Sequence, residues 1–399
     1  MSKISEIREK AAAYRDKTAE NLSAMVKIPS LSCEEEAVIQ EIARQCREAG
    51  FDEVRVDGLG NLIGRVGHGP KILAIDAHID TVDVGERKLW DFDPFSGEIK
   101  DGYVLGRGSA DQEGGAAAMV TAGRILKELG YDGEYSVYFT FTVMEEDCDG
   151  MCWNYIIEKE KLIPDFAVST EPTNLNLYRG HRGRMEFEIH FHGLSCHGSE
   201  PERGDNAIYK AARFALEVEK LHKRLKPDEF LGKGSVTASL CQSSSPSLCS
   251  VSDYCRLYLD RRLTWGETKE TATAELQEFL PDGAEITIPV YERKSYKGTV
   301  FTQEKYFPTW KIPETHPLVQ AGANAYRSLF EGEPKIDKWT FSTNGVAICG
   351  KHKIPVIGFG PGNEVLAHAP NEKTPVAHLE KASAFYAALP YMLEKGGKE

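Results

Sequence analysis

No stretch of the 399 residues approaches the ~18 consecutive apolar residues that a membrane helix needs. The most apolar run, Tyr135 to Met144, is strand-length and broken by Ser and Thr. A basic excess is also missing. Lys plus Arg is 48 against 61 Asp plus Glu, a net charge of −13. A general binder of nucleic acid or anionic membrane is therefore not expected, since nothing is left over to neutralise phosphates. The nine cysteines are odd in number and lack regular spacing, which fits reduced thiols in a cytoplasm better than a disulfide framework. The N-terminal stretch is charged and has no apolar signal core, so it reads as an amphipathic helix. Internal repeats and low-complexity segments are absent. Gly106-x-Gly108 and Gly358-x-Gly360-x-Gly362 lack the full dinucleotide fingerprint and read as turns.

What is present is enough for a real core: 41% hydrophobic and 27% charged residues, over a length that suits two or three domains. Ile4 to Met25 has helical apolar spacing. Ser32 with Glu35 three residues on is a capping-box signature, with a helix expected to about Ala49. Lys71 to Thr81, Tyr135 to Met144 and Phe166 to Thr170 read as strands, and Gly114 to Leu129 as a helix. This alternation predicts an α/β layer with a parallel or mixed sheet. The middle differs. Arg184–Phe191, Asn206–Arg224, Ser235–Cys241, Tyr254–Leu263, Glu267–Phe279 and Ala284–Tyr291 follow the order βαββαβ, the ferredoxin-like arrangement. The α/β pattern then returns, with a strand over Lys353 to Gly360 and a helix over Ala377 to Leu393. A compact unit at 182–294 is thus predicted to interrupt a discontinuous domain of 1–181 and 295–399, with Gly180-His181-Arg182-Gly183 as the hinge. Lys395 to Glu399 reads as a frayed tail.

The chemistry-bearing residues collect where predicted strands give way to loops. They are His78 and Asp80 in His78-Ile79-Asp80-Thr81, then Asp111, the adjacent Glu145 and Glu146, Glu171 before Pro172, and His368. In an open α/β sheet, strand ends converge on the ligand crevice. Imidazole with carboxylate suits zinc, and two metals can share a bridging carboxylate. Neighbouring glutamates on an extended chain point to different sides, so one can ligate while the other serves as base. Asp80 lies two residues from His78 on the same strand face, placed to hold the second nitrogen of a ligating imidazole.

Taken together, these stretches resemble the M20 metallopeptidase and amidohydrolase family, which includes acetylornithine deacetylases, succinyl-diaminopimelate desuccinylases and carboxypeptidases. The likeness runs through His78 to Val82, Trp90 to Phe95, Gly106-Arg107-Gly108, Asp111 with Gly114-Gly115, Glu145-Glu146, Glu171-Pro172, the inserted unit, and Gly360-Pro361-Gly362 leading to His368 and Glu372. Within the family the chain most resembles the selenium-metabolism-linked hydrolases. The resemblance implies a catalytic domain with an inserted lid or dimerisation domain, and two Zn2+ per chain, with Co2+ or Mn2+ as substitutes. It implies that Asp111 bridges the metals, with His78 and Glu171 on one and Glu146 and His368 on the other. Asp80 would orient His78, and Glu145 would be the general base. The peptide after Asp111 would be cis. His197 would reach a partner subunit's site in a homodimer and stabilise the oxyanion, and Arg262 would bind a substrate carboxylate.

The implied activity is hydrolysis of an amide bond in an N-acyl or N-carbamoyl amino acid or related small molecule. A dipeptidase or carboxypeptidase would use the same mechanism, and a non-catalytic metal-binding relative is the reading from another class. The sequence departs from the family pattern in three places. Cys249 stands where a substrate-contacting asparagine is usual, Glu113 where lysine is common, and Asn344, a candidate substrate contact, where many members carry aspartate. Cys148 and Cys152 read as enclosed thiols at a helix start, not as a metal or redox pair.

Overall fold

The computed structural model describes residues 2–396. Helices α1 (Lys3–Ala13) and α2 (Arg15–Val26) divide the long N-terminal helical pattern at Tyr14. The break turns the Tyr14 hydroxyl onto Glu128, and the Arg124 guanidinium lies 5.4 Å from the centre of its ring. Helix α3 (Glu36–Glu48) follows, then strands β1 (Glu53–Val56), β2 (Leu62–Val66) and β3 (Lys71–His78). Next come α4 (Glu113–Glu128), β4 (Tyr135–Thr142), α5 (Met151–Glu158), β5 (Phe166–Ser169) and β6 (Leu177–Tyr178). After the inserted unit come α8 (Pro317–Leu329), β11 (Ile336–Asp337), β12 (Val356–Gly358) and α9 (Val376–Gly396). Helix α9 takes in the start of the expected tail; 397–399 lie outside the described residues.

The eight-stranded sheet has the order β1-β2-β4-β3-β5-β12-β6-β11. Its centre, β4-β3-β5-β12, is parallel, and antiparallel pairings flank it. Central strands are covered on both faces, which is why β3 reads as a nearly unbroken apolar run. Register brings His78 opposite Thr142 and Asp76 opposite Ser169. The carboxyl ends of β3, β4 and β5 therefore emerge side by side.

The inserted unit holds β7 (Gly183–His192), α6 (Ala207–Arg224), β8 (Ser235–Ser244), β9 (Tyr254–Leu263), α7 (Lys269–Gln277) and β10 (Glu285–Thr287). Its sheet order, β8-β9-β7-β10, is the ferredoxin-like one. Met185, Phe187, Ile189 and Phe191 alternate along β7 into a core shared with Ala207, Ala211, Phe214, Val218 and Leu221 of α6. Period two thus meets period 3.6 at one interface. The short strand Tyr306–Phe307 also joins this sheet, opposite Met185 and Arg184. The chain therefore returns to the inserted sheet beyond the boundary expected at 294, because β7 starts right at the hinge and its first residues need a neighbour. No helix of the described residues is long and apolar enough to cross a membrane.

Candidate metal centre

Five chain segments deliver histidine and carboxylate groups to one cavity of about 300 Å3, which opens between the large sheet and the inserted unit. His78 ends β3, Glu145 and Glu146 follow β4, and Glu171 follows β5. Asp111 precedes α4 instead of ending a strand of the large sheet, and the peptide Asp111–Gln112 is cis. His368 sits in a loop with its backbone in the left-handed region, φ +59°. Close packing of α4 on the end of β5 needs Gly115, where a Cβ would come within 2.1 Å of Thr170 Oγ1.

His78 Nε2 lies 3.1 Å from Asp111 Oδ1, 3.6 Å from Glu171 Oε1 and 3.9 Å from Glu145 Oε2. His368 Nε2 lies 2.9 Å from Glu146 Oε2 and 3.6 Å from Asp111 Oδ2. Two groups of ligand atoms, from His78, Glu145 and Glu171 and from His78, Asp111 and Glu146, each fall within 4.8 Å of one another. Asp111 thus stands between the two histidines, one oxygen toward each.

The donor set fits divalent cations. His78 Nδ1 is 2.9 Å from the Asp80 backbone carbonyl, which fixes a proton on Nδ1 and leaves Nε2 as the nitrogen turned to the cavity. Nε2 faces carboxylate oxygens, an arrangement that a second proton or a cation reconciles. Glu145 Oε1, Glu146 Oε1 and Glu171 Oε2 are buried without a hydrogen-bond partner. Burial pushes the Glu145 and Glu171 carboxyls well above their usual range, and it also raises Glu146. Burial opposes charge on His78, yet Asp111, Glu145 and Glu171 together hold its pKa well above the ordinary value. Burial likewise opposes ionisation of Asp111, but His78 and His368 outweigh it. Crowded carboxylates of this kind share protons in the absence of a cation and release them to bind one.

Several sequence expectations change here. Asp80 holds His78 through its backbone carbonyl, its carboxylate Oδ1 standing 3.7 Å from Nδ1. The strand ends at His78, so Asp80 no longer shares its face. The carboxylate instead accepts from Glu145 N, Glu146 N and Ser32 Oγ. Glu145 and Glu146 do not diverge as on an extended chain: Met144 turns at φ +61°, and both carboxylates line the cavity. Asn344 does not line the cavity. It is buried behind the site, where Nδ2 donates to Asp76 and Thr142 and Oδ1 accepts from Gly150 N and Cys152 Sγ. The Ser32–Glu35 pair forms no capping box; Glu35 itself occupies the N-cap without a side-chain cap bond.

Arg262 lines the cavity, paired with Asp260 at 3.0 Å. His197 is exposed in a loop, its Nδ1 2.8 Å from Ser199 Oγ, and it does not line its own chain's cavity. The cavity also takes in residues that sequence reasoning missed: Asp149, Arg184, Phe341, Ser342 and Glu364. Arg184 is the direct cross-strand neighbour of Arg262 and pairs with Asp149 at 3.1 Å. Strand register, which no local pattern reveals, would have found it. Behind the centre, Glu372 accepts from Ala110 N and Asp111 N through Oε1, and from Gly108 N and Arg107 Nη1 through Oε2. The loops carrying Asp111 and His368 are thereby tied together. A larger cavity of about 690 Å3, lined by Trp265, Phe301 and Lys351 among others, lies away from these groups.

Residues 74–391 match the model of peptidase family M20/M25/M40. The chain belongs to this family. It is 53% identical to the uncharacterized protein YgeY of Escherichia coli (strain K12) over 388 residues, covering 96% of each. It is 28% identical to the acetylornithine deacetylase of Klebsiella pneumoniae, over 88% of this chain and 90% of that one. The fold is similar to that of the Bacillus subtilis YXEP protein, a dinuclear metal-binding peptidase of the M20 family. That likeness has a TM-score of 0.71 at 16% identity, over 96% of this chain and 99% of the other. Membership makes the protein a hydrolase of a family that acts on amide bonds, and it accounts for a divalent metal site.

Proposed function

We propose that the protein is a dizinc amide hydrolase acting on small N-acyl or N-carbamoyl amino acids. The observation that carries this is the shared cluster: two imidazoles on either side of Asp111, with Glu171, Glu146 and a further carboxylate, Glu145, around them. Two cations held by His78, Glu171, Asp111, Glu146 and His368 would polarise the amide carbonyl and acidify water. Glu145 is the group left for proton work. Its carboxyl is buried and pushed upward, and Oε1 has no partner, so it can take a proton from the attacking water and return it to the leaving nitrogen. Arg262 offers a guanidinium at the cavity wall to a substrate carboxylate. Apart from Phe341 and Ala367, the lining is polar or charged, which favours small polar substrates over long acyl chains.

A homodimer completes this reading. Among the described residues, β8 pairs only with β9 and leaves its other edge open. Leu240 on that strand and Ile208, Tyr209 and Leu216 on α6 are exposed. His197 has no role in its own cavity, and a partner subunit's cavity gives it one, as a donor to the developing oxyanion. The test is a panel of N-acyl amino acids, N-carbamoyl amino acids and dipeptides, assayed with zinc-, cobalt- and manganese-loaded protein. Turnover of one acyl or carbamoyl class at about two metals per chain is expected. No hydrolysis of any member with any metal would overturn the reading, and turnover of dipeptides alone would move it to a peptidase.

A further inference from the structure

The turn that carries Glu145 and Glu146 is held in an uncommon way. Four consecutive backbone N–H groups, Val143 to Glu146, each donate to a buried side chain from elsewhere in the chain. Val143 N donates to Asn61 Oδ1 at 3.1 Å and Met144 N to Glu35 Oε1 at 3.0 Å. Glu145 N and Glu146 N donate to the two oxygens of Asp80, each at 3.1 Å. Glu35 is fully buried, and the same Oε1 also accepts from Cys33 N at 2.8 Å. The strand ladder has ended at Thr142 and Met144 is in the left-handed region, so no regular structure is available to these donors. Asn61 is itself fixed from below, its Nδ2 donating to Asp57 Oδ2 at 2.7 Å.

We propose that Glu35 is a positioning residue of the metal centre, which sets Glu145 and Glu146 in place by accepting the Met144 N–H. Met144 is the pivot of the turn. A shift there moves both following side chains; the Met144 carbonyl accepts from Cys148 N at 3.2 Å within the turn, and Glu35 is the group from elsewhere in the chain that holds its N–H. Asp80 holds the turn from one side and Glu35 from the other, and together they block rotation about the pivot. The proposal rests on the metal-hydrolase reading of the site. It also gives the Ser32–x–x–Glu35 signature a purpose other than capping: Ser32 Oγ donates to Asp80 at 2.6 Å and Glu35 takes Met144, so both ends of the signature support the same turn.

Three variants of the full-length protein separate this role from mere structural support. Glu35→Gln keeps an acceptor oxygen at the same reach, Glu35→Ala removes it, and Glu35→Asp withdraws it by one methylene in a milder change should the alanine protein fail to fold. The probe is Co2+, followed by its visible absorption on titration into apo protein, with folded fraction measured alongside by thermal unfolding. Loss of a group that orients metal ligands costs about 10–100-fold in metal affinity or activity. Glu35→Ala or Glu35→Asp should therefore weaken the second Co2+ step about 10-fold or more and alter its spectrum. Glu35→Gln should match wild type within about 3-fold. A wild-type isotherm and spectrum in the alanine or aspartate protein, with only thermal stability lowered, would overturn the proposal. Equal damage from Glu35→Gln would also overturn it, since charge and not the accepted bond would then be at work. A wild-type protein that takes up no Co2+ would remove the metal reading itself, and the proposal with it.

Discussion

Asn344→Asp changes a single atom of the side chain, yet the structure predicts that it costs this protein stability. Asn344 Nδ2 stands 2.9 Å from Asp76 Oδ2, and both residues are about 1% exposed. Burial pushes the Asp76 carboxyl up, while donors from Asn344, Trp153 and Thr140 pull it back. Replacing the amide nitrogen by oxygen sets a second carboxyl against the first. Two anions cannot share that site, so one stays protonated in the folded protein. An unfolded aspartic acid releases its proton near pH 3.9, and each unit of displacement is worth about 1.4 kcal/mol. Holding the proton to pH 7 therefore costs about 4 kcal/mol, roughly three units' worth. The sign follows from linkage. The folded variant binds a proton that the unfolded chain has lost, so the penalty is small near pH 4 and grows as pH rises toward the folded-state pKa. Urea unfolding of metal-free wild type and variant at pH 5, 6, 7 and 8 measures it. The difference should rise by about 1.4 kcal/mol per pH unit until the shared proton is lost. A difference below about 1 kcal/mol that is flat with pH would show that residue 344 does not face Asp76.

The two neighbouring glutamates should part company on substitution. Glu145→Gln should leave about two metals per chain by elemental analysis while cutting turnover by about 10²–10⁴, whereas Glu146→Gln should lower metal content itself. Chelation should abolish turnover and lower the unfolding temperature, and readdition of Zn2+, Co2+ or Mn2+ should restore both, because cations that bind only the folded chain stabilise it. Mixing His197→Ala protein with Glu145→Gln protein, each inactive alone, should return partial activity as subunits exchange. A fully active monomer on sizing would refute action across a dimer.

Much of the fold is legible because its elements carry strong periods. Alternation along β7 and β9, and helical spacing in α6, identify the inserted unit from local pattern alone. The centre is legible for a different reason: metal chemistry demands particular residue types, and strand ends concentrate them. What stays hidden depends on tertiary pairing. Ser32 and Glu35 have the spacing of a capping box, but a buried N–H at Met144 and a carboxylate at Asp80 compete for them and win. Arg184 is an ordinary strand arginine until register sets it beside Arg262. Asn344 reads as a substrate contact from its place in the family pattern, and its neighbours in sequence, Phe341 and Ser342, do line the cavity. Its own side chain turns the other way, donating to Asp76 Oδ2 in β3 while Thr140 and Thr142 serve the other oxygen.

A common device underlies these supports, and it bears on how an acidic protein can gather so many buried carboxylates. Asp80 accepts the N–H groups of residues 145 and 146, Glu35 those of 33 and 144, Glu372 those of 108, 110 and 111, and Asp57 those of 59, 60 and 61. Glu372 also meets the buried Arg107 at 2.7 Å, and Asp80 Oδ1 stands 3.7 Å from His78 Nδ1. A salt bridge would cancel each charge, whereas a backbone N–H solvates a carboxylate without cancelling it. These carboxyls hold the loops of the cavity in place, and burial pushes all four upward, Glu35 to about 8 and Glu372 to about 7. The upward push on Glu145, Glu146 and Glu171 comes first from burial and then from their charged neighbours in the cluster. A divalent cation among them offsets that crowding. The supports thus fix the geometry, while the crowded ligand carboxyls themselves draw positive charge, protons in the metal-free protein and a cation in their place.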